Sequence, residues 1–232
     1  GAKVYSLVTR RKQESVLKTV NGIRPEFIEA TGKIIEEAEN VFQKINHEML
    51  LPLADHIALA AKRAKENRQL PNPFTPDIRV LFGEEYQVAL KGREIIQQLT
   101  GYEISEDEVG FITLHIHAGL SDEAVSQTLD ATRIVNEGIA MIEQEFDQKL
   151  ESGSLGCTRL MSHMYYMILR TRKGEGTNAD FNDFIFKNYP RTGEAAKRVC
   201  DYMSRQLKQP VAKEEIGFLA IHIQRVISPD TV

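Results

Sequence analysis

Residues Asp107 to His117 read DEVGFITLHIH, and residues Glu214 to Gln224 read EEIGFLAIHIQ. Glu108, Gly110, Phe111, His115 and Ile116 recur as Glu215, Gly217, Phe218, His222 and Ile223, each 107 residues later. Most other positions differ by swaps such as Val for Ile. Ser105 stands three residues before Glu108, the spacing of a capping box, in which a Ser side chain and a Glu side chain satisfy each other's free backbone N–H groups. The stretch therefore predicts a helix over 106–119, in spite of its β-branched residues. It is apolar nearly all round, so it is expected to be buried.

The same offset extends outward without a gap. Ile35-Glu36 aligns with Ile142-Glu143, Leu53 with Leu160, His56 with His163, Arg63 with Arg170, Phe74 with Phe181 and Ile78 with Ile185. A period this long is a duplicated domain rather than a solenoid repeat. The expected fold is all-α, with two tandem helical bundles at 25–128 and 129–232. Helical periodicity runs over 26–50, with Ile34, Ile35, Val41, Phe42 and Ile45 on one face. Pro52 suits the first turn of a helix over 52–67. Residues 68–77 read as a loop, and 84–99 as a helix closed by Gly101. Residues 1–24 form an N-terminal arm in which Lys3 to Thr9 has strand character.

Composition narrows the class. A chain of 232 residues with 42% hydrophobic content can bury two cores. A net charge of −4 argues against binding nucleic acid through overall charge. The apolar runs are too short to span a bilayer. Cys157 and Cys200 make no disulfide framework, and reduced thiols in the cytoplasm are expected. The sequence contains no CxxC, HExxH, GxSxG or Gly-rich phosphate loop, so neither a metal, a cofactor nor an enzyme is expected.

Four of the six histidines form the duplicated pairs His56/His163 and His115/His222. A neutral imidazole is a nucleophile and proton carrier near pH 7. Arg63 and Arg170 lie seven residues after His56 and His163, which is the same helical face two turns on. Glu108 and Glu215 lie seven residues before His115 and His222. Simpler roles exist for each: a hydrogen-bonded core histidine, an arginine complementing a helix C-terminus, a glutamate that caps first and functions second. His115 and His117 look like a metal pair, but positions i and i+2 of a helix point apart. Asp55, adjacent to His56, reads equally as a solvated acid.

With these residues in view, LADHIALAAKR at 53–63, Asn72-Pro73-Phe74 and GFITLHIHAGL at 110–120 resemble the PTS regulation domains of the BglG/SacY family of transcriptional antiterminators, and most nearly its glucose branch. The resemblance covers 25–232. It implies two compact helical bundles, each dimerising with its counterpart in a homodimer. It also implies that His56, His115, His163 and His222 accept phosphoryl groups from HPr and a sugar-specific enzyme II through its IIB domain. Arg63 and Arg170 are then candidate phosphate contacts. In this family an N-terminal domain outside the present chain binds an RNA hairpin. The second copy departs from the pattern, with Ser162-His163-Met164 in place of Asp55-His56-Ile57. An activator carrying the same domains with a DNA-binding module is the alternative within regulation, and a purely structural helical dimer the alternative outside it.

Overall fold

The structure, a computed structural model, describes residues 22–228 apart from 122, 177 and 178. The arm and the strand expected at Lys3 to Thr9 lie outside the described residues, except for the last three positions of the arm. Contacts divide the chain into one unit that ends at Val125 and a second that begins at Ser126. Among the described residues every regular element is helical.

The first unit contains α1 (Pro25–Phe42), a 3₁₀ turn (His47–Met49), α2 (Leu50–Lys65), α3 (Thr75–Leu81), α4 (Gly83–Thr100) and α5 (Glu106–Leu120). The second contains α6 (Val125–Phe146, beginning at the junction), α7 (Leu155–Lys173), α8 (Asn182–Asn188), α9 (Pro190–Leu207) and α10 (Glu215–Ile227). The bounds of α3 and α4 recur in α8 and α9 at the 107-residue offset. The duplication therefore holds at the level of helix ends as well as side chains.

In the first unit, α1 packs against α4 and α2, and α5 packs against α4, α3 and α2. Its core holds Ile34, Leu53, Ile57, Ile78, Ile96, Ile112, Leu114 and Ile116, all fully buried. In the second unit, α10 packs against α9, α7 and α8. There Ile134, Ile142, Leu160, Met164 and Met167 are fully buried. Burial of apolar area at roughly 25 cal/mol per Å² is what holds such short helices in place, since helices of seven residues do not persist alone.

Two boundaries differ from the sequence expectation. The helix expected over 26–50 stops at Phe42. Gln43 takes a left-handed φ of 62° and its N–H bonds the Glu39 carbonyl, which closes α1. Asn46 then caps the 3₁₀ turn by accepting from the Glu48 N–H. Val41, expected on the core face, is 45% exposed, while Ile45 is buried. The loop expected over 68–77 is shorter, because α3 begins at Thr75. Buried Asn72 organises that start: its side-chain oxygen accepts from the Phe74 N–H, and its carbonyl accepts from Thr75 N and Oγ1. Pro76 fits the first helical turn, which has no use for its missing N–H.

Candidate functional site

The site of the first unit lies where α2 crosses α5. Helix α2 buries Leu53, Ala54, Ile57, Ala60 and Ala61, and this face carries His56 and Arg63 along its border. Helix α5 buries Glu108 along with its apolar residues and leaves His115 half-buried. The seven-residue spacings now have a purpose. They set His56 and Arg63 two turns apart on α2, and Glu108 and His115 two turns apart on α5. Arg63 meets Glu108 and His56 meets His115, so the helices run in opposite directions at this contact.

Glu108 is 3% exposed and is the centre of the cluster. Nε and Nη2 of Arg63 both reach its Oε1, at 2.8 and 2.7 Å. Nε2 of His56 lies 3.1 Å from its Oε2. That contact is close but poorly aligned for a hydrogen bond, and both atoms are otherwise buried without a partner. The rings of His56 and His115 are tilted with centroids 5.1 Å apart, and the Phe111 ring lies 5.7 Å from that of His56. Close approach of α5 to the turn before α3 depends on Gly110. A Cβ there would stand 2.9 Å from Thr75 Oγ1 and 3.0 Å from Asn72 Nδ2.

The second unit repeats the arrangement from different detail. Arg170 grips Glu215 with one guanidinium edge, Nε to Oε1 at 2.8 Å and Nη2 to Oε2 at 2.9 Å. Nε2 of His163 lies farther off, 3.7 Å from Oε2. His163 and His222 stack with centroids 4.5 Å apart. Gly217 again permits close packing, here against Asn182 and the Phe181 backbone.

Three of the four imidazoles, His115, His163 and His222, are held below the ordinary histidine value. Burial, with the His56 ring adding to it, pushes His115 from the ordinary 6.5 down to about 4. Burial, His222 and Arg170 push His163 down to about 4. His222 is lowered by burial, Arg225 and Arg159. Burial alone raises the Glu108 carboxyl, but His56 and Arg63 outweigh it and hold the group below the usual carboxylate range. A neutral imidazole beside a fixed carboxylate is a nucleophile with its proton parked on one side.

The four duplicated histidines and both arginines thus fall into two clusters of identical composition. The glutamates are the residues whose role the capping reading understates. Ser105 does cap α5 by accepting from the Glu108 N–H at 3.3 Å. The Glu108 carboxylate, however, is spent on Arg63 and His56. A sequence signal for this exists: Ala212 replaces Ser105 in the second copy while Glu215 remains. Asp55 is exposed and stays outside the cluster. His117 points away from His115 to Glu85 of α4, Nδ1 to Oε1 at 2.9 Å, and packs on Phe82. Its counterpart pair is neutral, Thr192 donating to Gln224 at 2.6 Å. His47 pairs with Glu39 on the surface. Among the described residues no group of three or more His, Cys, Asp or Glu is arranged to hold a metal ion, and no helix is long and apolar enough to cross a membrane.

Two helical units, each built around a paired-histidine cluster, belong to a known class: the chain is a member of the PRD domain family, which it matches over residues 32–119 and again over 132–226. Its relatives include the GlcA/glcB genes antiterminator of Staphylococcus carnosus, 29% identical over 95% of this chain and 78% of that protein. Protein GlcT of Staphylococcus saprophyticus is 26% identical over 95% of this chain and 80% of that protein. A solved structure titled "Crystal structure of GlcT CAT-PRDI" aligns with 48% of this chain and 67% of that chain, at 30% identity and a TM-score of 0.45.

Proposed function

We propose that the chain is the regulatory part of a transcriptional antiterminator of the glucose branch, with His56, His115, His163 and His222 as phosphoryl acceptors. The observation that carries this is the duplicated cluster: two imidazoles in ring contact, beside a buried Glu–Arg pair, in each unit. The names of its relatives, the GlcA/glcB genes antiterminator and Protein GlcT, support the branch. The donors on this reading are HPr and the IIB domain of a sugar-specific enzyme II, and the chain acts in the cytoplasm as a homodimer without a cofactor. It is a regulator and not an enzyme, and contact with an RNA hairpin belongs to a domain other than these two units.

A phosphoryl group adds about −1.5 to −2 charges and three acceptor oxygens to a half-buried ring. Arg63 and Arg170 are the cations of the two clusters, and each is already engaged by a glutamate. Phosphorylation therefore sets two anions in competition for one guanidinium, and the helix contact between α2 and α5, or α7 and α10, shifts between two packings. Such a shift is the means by which occupancy at a histidine alters a dimer.

The test is incubation with phosphoenolpyruvate, enzyme I and HPr, with and without an enzyme IIB domain. Acid-labile phosphate on the four histidines is the expected result, and replacing His56 and His115 by Ala should abolish labelling that depends on IIB. A chain that takes up no phosphate under either condition is a structural helical dimer instead.

A further inference from the structure

Which ring nitrogen receives the phosphoryl group is decided by the glutamates. Resting on the acceptor reading above, we propose that His56 and His163 are phosphorylated on Nδ1, and that Glu108 and Glu215 are positioning residues that reserve Nε2 for the proton.

The same geometry occurs twice. In each unit the histidine of the first helix turns Nε2 inward, where it is buried with no hydrogen-bond partner. In each unit that atom faces the Oε2 of a buried carboxylate, at 3.1 Å in one and 3.7 Å in the other. The side chains of His56 and His163 keep 16% and 15% exposure, and none of it belongs to Nε2. With Nε2 closed off, Nδ1 is the ring nitrogen that remains for a donor. A phosphorus bonded to Nε2 would be driven onto the carboxylate, setting anion against anion in a site closed to water, where such repulsion is poorly screened.

The transfer balances on Nδ1. The donor is an N-phosphoimidazolium on a partner protein. The Nδ1 lone pair of His56 attacks phosphorus while the donor's P–N bond breaks, and that electron pair returns to the donor ring, which leaves as neutral imidazole. The accepting ring keeps its Nε2 proton and becomes the phosphoimidazolium. Positive charge thus develops on the ring beside Glu108, and a small rotation aligns Nε2–H with Oε2. Carboxylates behind an imidazole fix its tautomer and raise its basicity in this way at metal and triad sites. Glu108 serves His56 more closely than Glu215 serves His163, because Arg170 occupies both oxygens of Glu215.

The experiment labels the full chain with ¹⁵N-histidine, phosphorylates it with phosphorylated HPr or IIB, and reads long-range ¹H–¹⁵N correlations together with ³¹P spectra. His56→Asn and His163→Asn assign the signals. The expected result is the Nδ1 isomer at both positions. The Nε2 isomer at His56 or His163 overturns this proposal while leaving the acceptor reading standing, and a chain with no phosphohistidine overturns both. Glu108→Gln is expected to slow labelling of His56 about 10-fold or more and to let the Nε2 isomer appear, with Glu108→Asp recovering part of the rate. The isomer assignment on the unsubstituted chain does not depend on how those variants fold. Parental rate and a pure Nδ1 product in a folded Glu108→Gln chain overturn the positioning role.

Discussion

Arg170 holds Glu215 in a two-point fork, Nε to Oε1 at 2.8 Å and Nη2 to Oε2 at 2.9 Å, whereas Arg63 makes one hydrogen bond to Glu108, Nε to Oε1 at 2.8 Å, with Nη2 close to the same oxygen. The difference frees Oε2 of Glu108 for His56 and leaves His163 at 3.7 Å. Two copies of one cluster are therefore tuned differently by which oxygen the arginine takes.

The fork is also structural. Arg170→Ala leaves Glu215, 2% exposed, as a buried anion without its cation. The expected loss is about 3 kcal/mol, the lower end for a broken buried pair, because Arg170 itself keeps 30% exposure. Urea unfolding followed by circular dichroism measures it. Replacing both partners together, Arg170→Met with Glu215→Leu, should recover most of the loss, since neither charge then remains unpaired. A double variant as unstable as Arg170→Ala would mean that the pair does more than neutralise itself.

Acid should destabilise the chain in a defined window. The unfolded chain takes up protons on His115 and His163 near 6.5, while the folded chain holds them off until about 4. The unfolded state thus binds more protons between these values, and stability falls as pH drops from about 6.5 to about 4. Glu108 adds to this at lower pH: its folded-state value is depressed, so its contribution is present above the ordinary 4.5 and lost as pH falls through the folded value. His115→Asn combined with His163→Asn should flatten the urea midpoint between pH 6.5 and 4. A slope as steep as the parent's would assign the effect to other groups.

Gly110→Ala should weaken the first unit by about 1–3 kcal/mol, the usual range for an added methyl in a close-packed contact. The new Cβ would press on Thr75 Oγ1 and Asn72 Nδ2 at 2.9 and 3.0 Å. Gly217→Ala meets a backbone atom of Phe181 at 3.2 Å and should behave alike. Thermal unfolding of the two variants checks both. An unchanged midpoint would show that the turn before α3 yields easily.

His117→Gln should leave phosphoryl labelling unchanged, since His117 faces Glu85 and Phe82 rather than His56. His117→Gln with Glu85→Thr imports the neutral pair found at Gln224 and Thr192 and should remain within about 1 kcal/mol of the parent, as both partners change together. Loss of label in His117→Gln, measured beside His115→Asn, would make His117 an acceptor.

Much of this was legible in the residues. The repeat at an offset of 107 placed the helices in pairs, and the seven-residue spacings placed each histidine on a face with an arginine or a glutamate. What local pattern misread were ends and partners. Val41 continues the periodicity of α1, but the chain leaves the helix at Gln43, where a left-handed turn closes it. Glu108 has the spacing of a capping residue, yet its carboxylate is drawn to a guanidinium and an imidazole on another helix.

The sequence by itself determined the class of fold and the duplication, and it singled out six residues for the two candidate sites, because helical period and internal repeat can be read along the chain. Only the tertiary structure decided that a buried glutamate joins each site, which oxygen each arginine occupies, and which imidazole nitrogen faces inward. Those depend on how two helices distant in sequence cross, and a contact of 3.1 Å rather than 3.7 Å is set by packing that no spacing encodes.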